Sequence, residues 1–91
     1  RPRWLMIKRT DSTSNWVIVD AARSSFNEVN DLLYAEQSLA ETVDDGNNGI
    51  DFLSNGFKLR KGVGGTNVNG ATLIYIAFAS NPFQANGGLA R

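Results

Sequence analysis

The sequence predicts an all-β domain, a small antiparallel β-sandwich or partial jelly roll. Three observations carry that expectation. Segments of strand length, rich in β-branched and aromatic residues, alternate with clusters of Gly, Asn, Asp and Ser that favour tight reversals. Nowhere does a helical spacing of apolar residues persist beyond a turn or two. The third is the run Thr72-Leu-Ile-Tyr-Ile-Ala-Phe-Ala79, apolar on both of its faces. Leu73, Tyr75, Ala77 and Ala79 share one side of a strand, and Ile74, Ile76 and Phe78 share the other. With neither side polar, the run is expected to be a central strand covered on both faces. Asn81-Pro82 ends it, because proline cannot donate to a ladder and displaces its predecessor from regular pairing.

The remaining elements follow in chain order. Trp4-Leu-Met-Ile-Lys8 reads as a first strand, with Trp4, Met6 and Lys8 on one face and Leu5 and Ile7 on the other. Asp11-Ser-Thr-Ser-Asn15 is a turn, and Trp16-Val-Ile-Val-Asp20 a second strand, so residues 4–20 form a hairpin. Residues 21–49 are ambiguous. Glu28 to Tyr34 has apolar residues at helical spacing for about one turn, while Leu32-Leu-Tyr-Ala35 fits a short strand equally well. Ser38-Leu-Ala-Glu41 has capping-box spacing, but no apolar run follows it. Ile50-Asp-Phe-Leu53 and Phe57-Lys-Leu-Arg60 flank Ser54-Asn-Gly56, and Asn-Gly between alternating segments is a strong hairpin signal. Residues 62–70 form a Gly- and Asn-rich loop that lacks the Gly-Lys-Ser/Thr of a phosphate loop.

With 91 residues, the chain is read as a single β-rich domain over 1–91. It has no cysteine to staple it and no histidine to ligate a metal, and no cofactor is implied. A small loop-rich β domain without staples is expected to lean on neighbours, either other copies or upstream strands of a longer polypeptide. The start at Arg1-Pro2, running almost at once into a strand, suggests a fragment or C-terminal part of a longer protein. No apolar stretch approaches the roughly 20 residues of a membrane-spanning helix, so membrane insertion is not expected.

Nine Lys+Arg balance nine Asp+Glu, which removes the electrostatic case for nucleic-acid binding. The charges are nevertheless segregated. Arg1, Arg3, Lys8 and Arg9, and then Lys58, Arg60 and Lys61, bracket a middle that holds Glu28, Asp31, Glu36, Glu41, Asp44, Asp45 and Asp51. Either these groups pair locally, or acidic and basic faces meet across copies of the chain.

Candidate contact residues are few. Trp4, Trp16 and Tyr34 can pack in a core or stack on a sugar ring, and core packing is preferred for the two tryptophans. Asp44-Asp-Gly-Asn-Asn-Gly49 superficially resembles a calcium loop, but lacks the register and closing glutamate of an EF-hand. A solvated loop is preferred there to an irregular site built from Asp44, Asp45 and Asn47. Asp20 and Asp51, at strand ends, are the one carboxylate pair worth testing for glycosidase chemistry. Without histidine or cysteine, a nucleophile–base arrangement is not expected, and the chain is read as a non-enzyme.

Several phrases resemble a known group of proteins. Arg3-Trp-Leu-Met-Ile-Lys8, Trp16-Val-Ile-Val-Asp20 with Arg23, Gly49-Ile-Asp-Phe-Leu-Ser-Asn-Gly-Phe-Lys-Leu-Arg60, and Asn69-Gly-Ala-Thr-Leu-Ile-Tyr-Ile-Ala-Phe-Ala79 with Asn81-Pro-Phe83 occur in that order. This order resembles the C-terminal repeats and domains of bacteriophage tail fibre and other virion proteins, over nearly the whole chain. The resemblance implies a concanavalin-like or SPRY-like β domain, with an upstream Gly-Phe strand that is missing here. It further implies a structural or receptor-binding module of the virion tail, assembled as a homo-oligomer, with a trimer expected. Its implied contacts are other tail proteins or a host surface glycan. The resemblance brings no catalytic residues. The alternative is a stand-alone carbohydrate-binding module.

Overall fold

The computed structural model of the chain describes residues 1–43, 49–60 and 67–80. Seven strands form: β1 (Pro2–Arg9), β2 (Val17–Asp20), β3 (Asp31–Tyr34), β4 (Thr42–Val43), β5 (Ile50–Leu53), β6 (Gly56–Leu59) and β7 (Leu73–Ala79). Five of them make an antiparallel sheet in the order β4-β3-β2-β1-β7, and β5 and β6 form a separate two-stranded sheet. No residue among those described is helical. The chain is thus an all-β domain of sandwich-like character.

Alternation along the strands builds the core. Leu5 and Ile7 of β1 stand opposite Val19 and Val17 of β2, and all four are buried on one face. Leu32 of β3 extends that face, and Ile50 and Phe52 of β5 close over it with Val29. Main-chain and amide bonds hold the hairpin there. Val29 N–H donates to the Ile50 carbonyl at 2.8 Å. The Asn27 amide clamps Phe52 from both sides, donating from Nδ2 to its carbonyl at 2.9 Å and accepting its N–H at 2.8 Å. Each fully buried aliphatic or phenyl side chain contributes about 1.5–3 kcal/mol, so these eight residues dominate the domain's stability.

The ambiguous middle resolves as strand. The apolar spacing from Glu28 to Tyr34 reflects Leu32 buried on one face and Leu33 lying opposite Ile18, not a helical stripe. The segment before it turns at residues 21–23, where Asp20 accepts bonds from the N–H groups of Ala22 at 2.9 Å and Arg23 at 2.8 Å. The hairpin at Ser54 also differs in detail from the expectation. Leu53 pairs directly with Gly56, so Ser54-Asn55 form the corner and Gly56 belongs to β6. Among the described glycines, positive φ occurs at Gly49 (55°) and Gly70 (81°).

The principal correction concerns Thr72–Ala79. The run is a strand, but it lies at the edge of the five-stranded sheet; the interior strands are β3, β2 and β1, and β1 pairs with β2 and β7. The inference from apolarity failed because periodicity reports which residues share a face, not whether a second layer covers that face. Ile74, Tyr75, Ile76 and Phe78 are 47%, 60%, 49% and 61% exposed.

Candidate interaction surface

The face of the five-stranded sheet opposite the core is apolar along β7 and over Trp4, Met6 and Ile18, is interrupted by Lys8 and Asp20, and has no second layer over it among the described residues. In the β1–β7 register, Trp4, Met6 and Lys8 stand opposite Phe78, Ile76 and Ile74. Ile18 of β2 adjoins Met6 on the same side. The rings of Trp4 and Phe78 lie 5.5 Å apart and tilted by 49°. Trp16, Met6, Ala35 and Glu36 border an open hollow of about 320 Å³ next to this face. Contiguous apolar surface of this kind marks an interaction site more often than solvent-facing decoration.

The backbone along β7 adds a second feature. Thr10 N–H donates to the Thr72 carbonyl at 2.9 Å, which makes residues 10 and 72 a hydrogen-bonded pair. Along the same register, bonded pairs recur at Lys8–Ile74, Met6–Ile76 and Trp4–Phe78. On the other side of β1, Ala21 N–H donates to the Arg3 carbonyl at 2.8 Å, consistent with odd-numbered residues of β1 turning toward β2. The N–H and C=O groups of Leu73, Tyr75, Ala77 and Ala79 therefore point to the outer edge, where no strand pairs with them among the described residues. Natural edges are usually blunted by charge, proline or shortness. β7 is seven residues long and has neither charge nor proline.

The residues singled out in the sequence separate in space. Trp4 and Trp16 lie on or beside the outer face, both half-buried. Tyr34 falls on the opposite face, packed against the core, so the three aromatics form no common platform. Asp44, Asp45 and Asn47 lie outside the described residues, and no group of three or more Asp or Glu suited to a metal ion occurs among the described ones.

Asp20 and Asp51 are each engaged by an arginine. Besides its two backbone bonds, Asp20 accepts from Arg23 Nε at 2.5 Å, and Arg23 reaches on to Glu41 at 2.8 Å. Burial pushes the Asp20 carboxyl up, but the Arg23 guanidinium and the turn's N–H groups outweigh it and hold the group below its ordinary value. Burial likewise works against the Arg23 charge, and Glu41 and Asp20 more than restore it. Asp51, in β5, has its side chain 8% exposed and meets Arg60 Nε at 2.6 Å. Arg60 also lies 3.7 Å from Glu28. Local pairing thus joins Arg60 of the second basic group to Asp51 and Glu28 of the acidic middle, and Arg23 to Glu41. Sequence reasoning missed this Glu28–Arg60–Asp51 cluster and the outer face of β7. The absence of charge from residues 72–79 was the available signal for the latter.

Depression of the Asp20 carboxyl makes its contribution to stability present above the unfolded value near pH 4 and lost as pH falls through the folded value. Asp20→Asn is expected to destabilise the domain by about 1–2 kcal/mol at neutral pH. Thermal melts of the two proteins at pH 7 and at acid pH check this, and the gap between them should narrow as the pH drops.

Comparison with known proteins places these features in a family. Neither the curated proteins nor the solved structures yield a match. Residues 1–82 match a family model described as a domain of unknown function, DUF7483, and the chain therefore belongs to the DUF7483 family.

Proposed function

We propose that this domain is a structural or receptor-binding module of a bacteriophage tail, built into the virion and contacting neighbouring tail proteins or the host surface. The observation that supports it best is the apolar outer face with its open β7 edge, which suits assembly more than a freely diffusing monomer. The resemblance of Asp51–Arg60 and Tyr75–Phe83 to tail fibre and virion domains supplies the context. Binding and assembly are proposed here, without a catalytic step.

Mass spectrometry of purified particles of the phage encoding the chain tests this reading. The expected result is the domain's peptides in the particles, at a copy number typical of a tail component. Peptides found in infected cells but absent from washed particles would contradict it. The carbohydrate-binding alternative draws on Trp16 beside Glu36 at the hollow. It would be favoured by saturable shifts in tryptophan fluorescence on adding surface polysaccharide.

A further inference from the structure

The geometry points to a specific partner for β7: a second copy of this chain, paired antiparallel along β7 about a two-fold axis through Ile76. The four residues whose N–H and C=O groups face outward, Leu73, Tyr75, Ala77 and Ala79, are symmetric about Ile76. In this register Leu73 pairs with the partner's Ala79 and Tyr75 with the partner's Ala77. All the outward groups are then satisfied by about eight main-chain bonds. A shift of the register in either direction leaves some of them without partners.

Side chains agree with the backbone. On the inner face the register sets large against small, Tyr75 beside Ala77 and Leu73 beside Ala79. The two alanines border a hollow of about 170 Å³, shared with Arg1, Pro2, Asn55 and Gly56. The partner's Tyr75 and Leu73 would stand next to that hollow. On the outer face Ile74 meets Phe78 and Ile76 meets its own counterpart, extending the apolar surface of each copy into one. No charge lies on the strand to oppose the pairing. The opposite sheet edge, β4, offers only two residues among those described, against seven in β7, and is a poor match for a head-to-tail ring. A two-fold dimer is therefore favoured over the trimer that the tail fibre resemblance implies.

This inference stands apart from the tail reading, because the particle assay does not depend on how copies pair. Light scattering of the 91-residue chain across dilution tests it. The expected mass is that of two protomers at high concentration, falling to one on dilution. Ile76→Lys brings like charges together on the axis and should weaken pairing at least about 100-fold, with the circular dichroism of a β protein retained. Phe26→Lys, at a residue 85% exposed in the connection between β2 and β3, should leave the mass unchanged. The register itself is tested by cysteine. The chain has none, so mild oxidation of Ile76→Cys should link two copies across a close non-hydrogen-bonded pair, whereas Ile74→Cys, far from its own counterpart, should not. A one-protomer mass throughout, a three-protomer mass, loss of pairing in Phe26→Lys, or equal cross-linking at both positions would overturn the proposal.

Discussion

Phe52→Ala is expected to unfold the domain or bring it close to unfolding. Phe52 is 1% exposed and is the largest of the fully buried side chains. Its main chain is pinned from both sides by Asn27, so the β5 backbone is poorly placed to move inward and fill the space. Deleting a buried phenyl group costs about 3–5 kcal/mol when the surroundings cannot collapse. A domain of this size holds only about 5–15 kcal/mol in total. The midpoint of thermal unfolding should fall by about 20 °C. Phe26→Ala is the matched control, since that ring is 85% exposed, and its effect should stay within about 0.5 kcal/mol. Equal losses from the two substitutions would show that Phe52 is not the centre of the core.

Arg60→Met should produce the next largest loss. It removes the cation from Asp51 and Glu28, and each of these carboxylates already has one oxygen that is buried and without a hydrogen bond. Breaking a buried ion pair from one side costs about 3–5 kcal/mol, because the other charge stays behind. Arg60 itself is half-exposed, and solvent screening reduces the expected value to about 2 kcal/mol. The penalty belongs to the abandoned carboxylate more than to the bond. The double variant Arg60→Met with Asp51→Leu should therefore recover much of the loss. Urea titrations of the wild type, single and double variants measure this directly. A double variant less stable than the single one would mean that the pair is itself a net stabiliser.

How much was legible in the sequence varied with the kind of information required. The strands β1, β2, β5 and β6 were readable because each shows local alternation bounded by turn residues, and Leu5, Ile7, Val17 and Val19 do point into the core. β3 was readable only as one of two options, since four residues carry too little periodicity to separate a strand from one helical turn. β7 was recognised as a strand and misplaced in the sheet. Its neighbours are set by long-range pairing, with Leu73 opposite Arg9 and Pro2 opposite Ala79. No local pattern encodes that topology. The same limit separated Tyr34 from Trp4 and Trp16, which face opposite sides of one sheet. It also hid the cluster joining Glu28, Asp51 and Arg60, which assembles only when the hairpin folds over the connection before β3.

The claim on which the rest depends is that β7 is an open edge in the protomer. Residue-resolved amide hydrogen exchange, recorded where light scattering gives a one-protomer mass, tests it most directly. The amides of Ile74, Ile76 and Phe78, turned toward β1, should exchange slowly, and those of Leu73, Tyr75, Ala77 and Ala79 should exchange quickly. Slow exchange in both sets under those conditions would mean that another part of the chain already pairs with β7, and the open edge would have to be abandoned.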